Sequence, residues 1–237
     1  MISGADQQRL TAVVQRDWEL TVATDEFHAI CAGKERGHRI ADYAEEKTVG
    51  FIEADGFAVA YEHGLGGSRR QRSMGDIWLR SGTPPIYNPI NVKAGIAGVG
   101  GQPNMVSLAK LTMALLKHQI DSYWLLLIRI TEAESGFTAG VLLINIFDYL
   151  GFMTFDSGPG QVMLRSDAFY AYLQGGGGPM IYSLEEVAKR LLEIRRDGDE
   201  RLIANRARRL RELERLADSF YADSPVDQAT LQLDRVG

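Results

Sequence analysis

Cysteine is nearly absent from this chain. Cys31 stands alone, which excludes an intramolecular disulfide and any cysteine-based zinc site, and makes a reducing cytoplasm the expected home. Long apolar runs are missing too. The longest, Tyr123 to Ile128 and Gly140 to Ile146, fall far short of the ~20 residues a membrane span needs and are expected to be buried strands. The start, MISGADQQRL, has no basic stretch followed by an apolar one, so secretion is not expected. The four histidines, His28, His38, His63 and His118, show no metal-ligand spacing. Nor is there an excess of positive charge. The net of −5 by itself argues against a nucleic-acid partner, because phosphate binding usually needs a basic surface.

What is present is an ordinary globular composition, 45% apolar and 24% charged, in 237 residues that can bury a sizeable core. The charge is unevenly placed. Between His63 and His118 stand Arg69, Arg70, Arg72, Arg80, Lys93, Lys110 and Lys117 against the single acid Asp76. Seven cations against one acid make that window +6 and leave −11 for the rest. The bland reading is a lopsided solvated surface. The sharper one is a channel for an anionic substrate, with one carboxylate kept for a metal.

Periodicity divides the chain into an N-terminal helical segment (1–36), a core (37–182), C-terminal helices (183–222) and a tail (223–237). Leu10, Val13, Val14 and Trp18 fall at helical spacing, and a second helix is expected over Thr24 to Ala32. After GKERG a third helix carries Ile40, Tyr43, Ala44, Phe51 and Ile52 near one face, with Asp42, Glu45 and Glu46 along it. GDIWLR is a short strand, SGTPP a turn, and IYNPINVKA a second strand whose regular part Pro89 confines to its second half. A glycine-rich loop spans Gly95 to Pro103, and Asn104 is placed to cap a helix running to about His118. SYWLLLIRIT and TAGVLLINIF are strands joined by a polar turn. Shorter strands follow at Phe152 to Phe155 and Gln161 to Leu164. The quartet Gly175 to Gly178 reads as a flexible loop, and Ser183 with Glu186 matches a capping box. The arginine-rich ANRARRLRELERL, with Leu210, Leu213 and Leu216 as its apolar seam, is a solvated helix face, a phosphate contact or a subunit partner.

The informative unit is strand, turn, strand, loop, helix. Asn91 and Lys93 are two apart on one strand and project side by side. Pairing through the SGTPP turn would let Asp76, at the start of the first strand, meet them across the sheet. A carboxylate, an amide oxygen and an ammonium would then share a small volume. Mg²⁺ prefers hard oxygen ligands and keeps several waters, so Asp76, Asn91 and the Val92 main-chain carbonyl can suffice to hold it. Such an ion polarises a phosphate and lowers the pKa of a bound water, and a nearby lysine orients that water and offsets charge on the phosphorus. Gly75 would allow a DNA backbone to approach closely. A surface strand ending in a solvated lysine is the bland alternative.

These residues resemble the PD-(D/E)XK nucleases, specifically the HincII-like group of type II restriction endonucleases, over about Gly37 to Ile128. GHRIADYAEEKTVGFI looks like the acidic helix before the core, GDIWL like the strand of the first catalytic aspartate, and NVK like the D/E-x-K strand. QPNMVSLAKL is similar to the segment that follows, which lines the DNA grooves in that family. The resemblance implies a central mixed β-sheet flanked by helices, an α/β (α+β) fold with a helical C-terminal part. It also implies Mg²⁺-dependent, sequence-specific cleavage of double-stranded DNA by a homodimer, leaving 5′-phosphate and 3′-hydroxyl ends. Asp76, Asn91 and Lys93 inherit the catalytic roles, and Gln102, Asn104 and Ser107 a DNA-contact role. Arg69, Arg70 and Arg72 suit phosphates. The dimer interface is expected on the N-terminal helices.

The chain departs from the family pattern at Gly75, where proline is usual, and at Asn91, where the second acid belongs. The amide should hold the metal more weakly. Glu45 or Asp42 could supply the missing charge, and a DNA-binding protein or repair nuclease with a weakened site on the same fold is the alternative. NVKAGIAGVGG is superficially a nucleotide cradle, but it lacks the Gly-Lys-Ser/Thr ending of a phosphate-binding loop.

Overall fold

The helical periodicity of the first third closes into α1 (Gly4–Thr21), α2 (Asp25–Cys31) and α3 (Arg36–Ala54). Short polar side chains start the first two: Ser3 Oγ accepts the Asp6 N–H at 3.1 Å, and Thr24 Oγ1 accepts that of Phe27 at 3.2 Å. Leu10, Val14 and Trp18 of α1, Phe27 and Cys31 of α2, and Ile40, Ala44 and Ile52 of α3 pack into one apolar layer. Trp18 Nε1 pins α1 to α3 by donating to Thr48 Oγ1 at 3.1 Å. The computed structural model describes residues 2–32, 36–57, 59–60, 74–81, 86–97, 104–156 and 160–223. Within them no helix is long and apolar enough to cross a membrane.

The fold is α+β. Strands β1 (Val59–Ala60), β2 (Ile77–Ser81), β3 (Ile86–Ile96), β5 (Trp124–Ala133) and β6 (Gly136–Asn145) form a mixed sheet in the order β1-β2-β3-β5-β6. Only the β3–β5 pairing is parallel. A second, antiparallel sheet joins β4 (Asn104–Ser107), β8 (Gln161–Leu164) and β7 (Met153–Asp156) in the order β4-β8-β7. The unbroken apolar run of β5 follows from its position, because both its faces are covered. Trp124, Leu126, Ile128 and Ile130 face α1–α3, while Leu125 and Leu127 face the opposite layer. That layer holds β4, β7, β8, helices α4 (Leu108–Leu116) and α5 (Ser166–Gln174), and a 3₁₀ helix over Ile146–Phe152.

One edge of the five-stranded sheet is closed by side chains. Gln7 Nε2 donates to the Leu143 carbonyl at 2.8 Å and Gln15 Nε2 to that of Ala139 at 2.7 Å, while Gln15 Oε1 accepts the Val141 N–H at 2.6 Å. Two glutamines of α1 thus bond the outward backbone of β6, which an edge strand otherwise leaves open. The apolar side of α1 to α3 is turned onto the sheet.

Two expectations are corrected, and two glycine positions gain local reasons. Strand β3 runs straight through Pro89, which pairs with Trp78 one residue before β5 joins at Ile90. With a neighbour on one side only, the missing N–H is tolerated there. Asn104 does not cap a helix: it opens β4, opposite Met163, and α4 starts four residues later with Ser107 at its N-cap position. The glycine quartet wraps tightly around Tyr172, whose hydroxyl donates to the Gly178 carbonyl at 2.9 Å. A Cβ on Gly177 would lie 2.4 Å from that ring, so a side chain there would have to displace it. Gly75 is packed against its own sheet, its added Cβ meeting Ile77 O, Ile90 N and Pro89 Cβ at 3.1 Å, which gives the glycine a reason within the fold.

The capping box forms as expected, with Glu186 N–H donating to Ser183 Oγ at 3.2 Å and Ser183 N–H to Glu186 Oε2 at 2.7 Å. It starts the single helix α6 (Leu184–Asp223). Two compact units divide within that helix, Met1–Arg195 and Arg196–Gly237. Val187, Leu191 and Ile194 of α6 belong to the first unit's core.

Candidate active site

The antiparallel register of β2 and β3 brings Asp76 beside Asn91. Ile77 pairs with Ile90, and the Asp76 N–H donates to the Ile90 carbonyl at 2.9 Å. Alternation along β3 then sorts its side chains. Ile90, Val92 and Ile96 enter the α1–α3 layer, so Asn91 and Lys93 face the other way, toward Tyr123 and β4. Asn88, also buried, holds the strands together by donating to the Leu79 carbonyl at 3.3 Å and accepting from Ser122 Oγ at 3.1 Å.

Three of the expected residues meet. Asp76 Oδ2 accepts the Val92 N–H at 2.7 Å and lies 3.9 Å from Lys93 Nζ. Because a strand residue sends its N–H and C=O to the same side, the Val92 carbonyl also leaves toward Asp76. Burial raises the Asp76 pKa above the usual carboxylate range, although Lys93 and the Val92 N–H pull it down. The charge of this carboxylate is therefore only partly compensated by the protein, and a further cation beside it would be favoured.

Asn91 is 3% exposed. Its Nδ2 donates to the Met105 carbonyl of β4 at 3.4 Å, so its Oδ1 is turned away from that carbonyl. That oxygen is buried and has no hydrogen-bond partner among the described residues. A buried amide oxygen left unpaired is costly. It fits a metal ion that supplies the missing partner, and a set of Asp76 carboxylate, Asn91 Oδ1 and Val92 carbonyl is the hard-oxygen chemistry magnesium prefers. Among the described residues no three His, Cys, Asp or Glu side chains gather into a metal group.

Tyr123 was not singled out by the sequence reading. It is fully buried, and burial, with Asp76 adding to it, pushes its hydroxyl well above the ordinary pKa, while the neighbouring Asn91 side chain pulls the other way. The hydroxyl and Asn91 Oδ1 stand near one another, and neither completes a hydrogen bond of ordinary geometry among the described residues. The one available signal was a phenol opening the run YWLLLI, where every following side chain is apolar.

The other expected residues are fixed only by their elements and burial. Glu45 is half-buried on α3, and Asp42 is exposed on the same helix. Since α3 packs on the opposite face of the sheet from Asn91, a carboxylate on it could approach Asp76 only around the sheet's edge. Ser107 is half-buried at the start of α4, without a side-chain cap bond. Asn104 is described by its backbone, one residue before the carbonyl that binds Asn91. Gln102, Arg69, Arg70 and Arg72 lie outside the described residues. No family model matches the chain, and no curated protein matches it either.

Proposed function

We propose that the protein is a magnesium-dependent endonuclease of the type II restriction class, acting in the cytoplasm as a homodimer on double-stranded DNA. The observation that carries this reading is the meeting of Asp76, Asn91 and Lys93 at the start of β2, with a buried amide oxygen left unpaired beside a carboxylate. Asp76, Asn91 Oδ1 and the Val92 carbonyl would hold the metal, whose chemistry is to polarise the scissile phosphate and acidify a bound water.

The remaining steps belong to the chain itself. The Lys93 ammonium, partly exposed beside Asp76, orients the attacking water and offsets the charge that builds on the pentavalent phosphorus. Water oxygen bonds to phosphorus, the P–O3′ bond breaks, and the 3′-oxygen leaves with a proton, giving 5′-phosphate and 3′-hydroxyl ends. Gln102, Asn104 and Ser107 read base edges, for which amides carry paired donors and acceptors. Arg69, Arg70 and Arg72 hold phosphates. Their window carries one acid, Asp76, among seven cations, which supports an anionic substrate despite the negative net charge.

Incubation with phage DNA and Mg²⁺ tests the reading. Discrete bands that vanish with EDTA are expected. Intact DNA across a range of Mg²⁺ and Mn²⁺ concentrations would overturn it, and specific binding without cleavage would point instead to a DNA-binding protein with a weakened site.

A further inference from the structure

The second compact unit is described as far as Asp223 and consists there of the C-terminal stretch of α6. It carries large apolar side chains in the open: Ile203, Leu210, Leu213 and Leu216 are 67, 57, 63 and 54% exposed. Leu216 lies beside the seam, and the other three share one spacing. Ile203 and Leu210 are seven residues apart, Leu213 follows after three, Ala217 after four more and Phe220 after another three. Alternating steps of three and four define the a and d positions of a coiled coil. In that frame Arg206 takes the remaining d position, Arg209 is a g residue and Glu214 an e residue.

The charges indicate what covers the seam. Residues 196–223 hold seven arginines and seven acids, so the helix is neutral and does not repel its own copy. The same neutrality disfavours a phosphate surface, which needs an excess of cations. Arg209 and Glu214 are five apart, so they do not pair with each other on one helix, although each has an opposite charge three residues away in Glu212 and Arg211. Across a parallel pair of helices, g of one chain faces the following e of the other, where Arg209 meets Glu214 twice. An antiparallel pair sets g against g and e against e, so the Arg209–Glu214 contact is lost.

We infer that residues 196–223 pair with the same helix of a second copy in a parallel two-stranded coiled coil, with Ile203, Leu210, Leu213 and Ala217 in the seam and Arg209–Glu214 across it. The seam is short, and Arg206 within it weakens the pairing while holding its register. The inference places the homodimer of the proposed function on α6, but it needs neither DNA nor metal.

Sedimentation velocity of the full chain, without DNA or Mg²⁺, tests it. A monomer–dimer equilibrium that depends on protein concentration is expected, and Leu210→Ser with Leu213→Ser abolishes the dimer while circular dichroism shows the helix content kept. Arg209→Glu and Glu214→Arg each weaken dimerisation by about tenfold, and the two together restore it. Arg206→Leu tightens it. A parent chain that stays monomeric at concentrations on the order of 100 µM, well above the micromolar range of ordinary specific association, overturns the inference. So does a dimer untouched by the seam substitutions. A charge swap that fails to restore pairing overturns the parallel arrangement. A monomer that still cuts DNA would end this inference and leave the nuclease reading standing.

Discussion

Replacing Asn91 with aspartate sets the sequence reading against the geometry. From the sequence alone the change supplies the second acid of the nucleases the chain resembles and should lower the Mg²⁺ needed for half-maximal cleavage. In the structure the same side chain is 3% exposed and its Nδ2 donates to the Met105 carbonyl. A carboxylate of the same shape brings an oxygen to that carbonyl, breaks the bond and leaves a second negative charge beside Asp76. Breaking a buried hydrogen bond and stranding the acceptor costs about 1–3 kcal/mol. For a chain of this size each kcal/mol lowers Tm by about 2–4 °C, so Asn91→Asp should melt roughly 3–10 °C below the parent without metal. A metal bound only by the folded state returns stability, by about 2.7 kcal/mol at a hundredfold excess over its dissociation constant. The variant should therefore gain more from saturating Mg²⁺ than the parent does. Thermal unfolding of both chains with and without Mg²⁺ measures this. Equal Tm values without metal would refute the Met105 anchor. A variant insensitive to Mg²⁺ would refute Asn91 as a ligand.

Other consequences are as direct. Asp76→Ala and Lys93→Ala should each lower the cleavage rate by on the order of 10³-fold or more while specific DNA binding persists, and near-normal cutting by either would refute their roles. Asp76 has a raised pKa when folded, so its ionised form opposes folding. This cost is absent below the ordinary carboxylate pKa and grows as pH rises through the folded value. Asp76→Asn should accordingly gain in metal-free Tm relative to the parent as pH rises from ~3 to 7, and a pH-independent difference would count against it. Glu45→Gln and Asp42→Asn should leave cleavage within a few-fold of the parent, since α3 packs behind the sheet; a crippled Glu45→Gln would show that the acid reaches around its edge. Asn104→Ala should weaken cognate binding by ~1–3 kcal/mol more than random binding, whereas neutralising two of Arg69, Arg70 and Arg72 should weaken both alike and flatten the salt dependence. Titrations on cognate and scrambled duplexes at two salt concentrations separate these outcomes.

Much of the frame was legible because the signals are local. The β5 run is apolar at every position, since both faces of the strand are buried, and the Ser183–Glu186 box closes within one helical turn. Asp76, Asn91 and Lys93 could be aligned from strand alternation and one turn. What escaped depends on partners far along the chain. Asn104–Ser107 becomes a strand because Gln161–Leu164, over fifty residues later, pairs with it, and nothing in four residues announces that. The amide at position 91 is anchored by a carbonyl on that strand, a partner that no local pattern announces. Gly75 and Gly177 likewise answer to neighbours that composition does not show. Tyr123 looked like one more core residue.

The glutamine closure of the β6 edge also has a consequence for the order in which the molecule can be made. Gln15 and Gln7 bond residues 124 and 136 positions further on. On a ribosome adding about 5–20 residues per second, α1 waits roughly 6–25 s for the strand it will cover. Until it docks, the β6 edge is bare and can recruit a neighbour's strand. The final docking of the first helix is thus a long-range step, slow by its loop closure. Chains shortened by α1 should be synthesised normally and then clump, the bare β6 of each offered to the next.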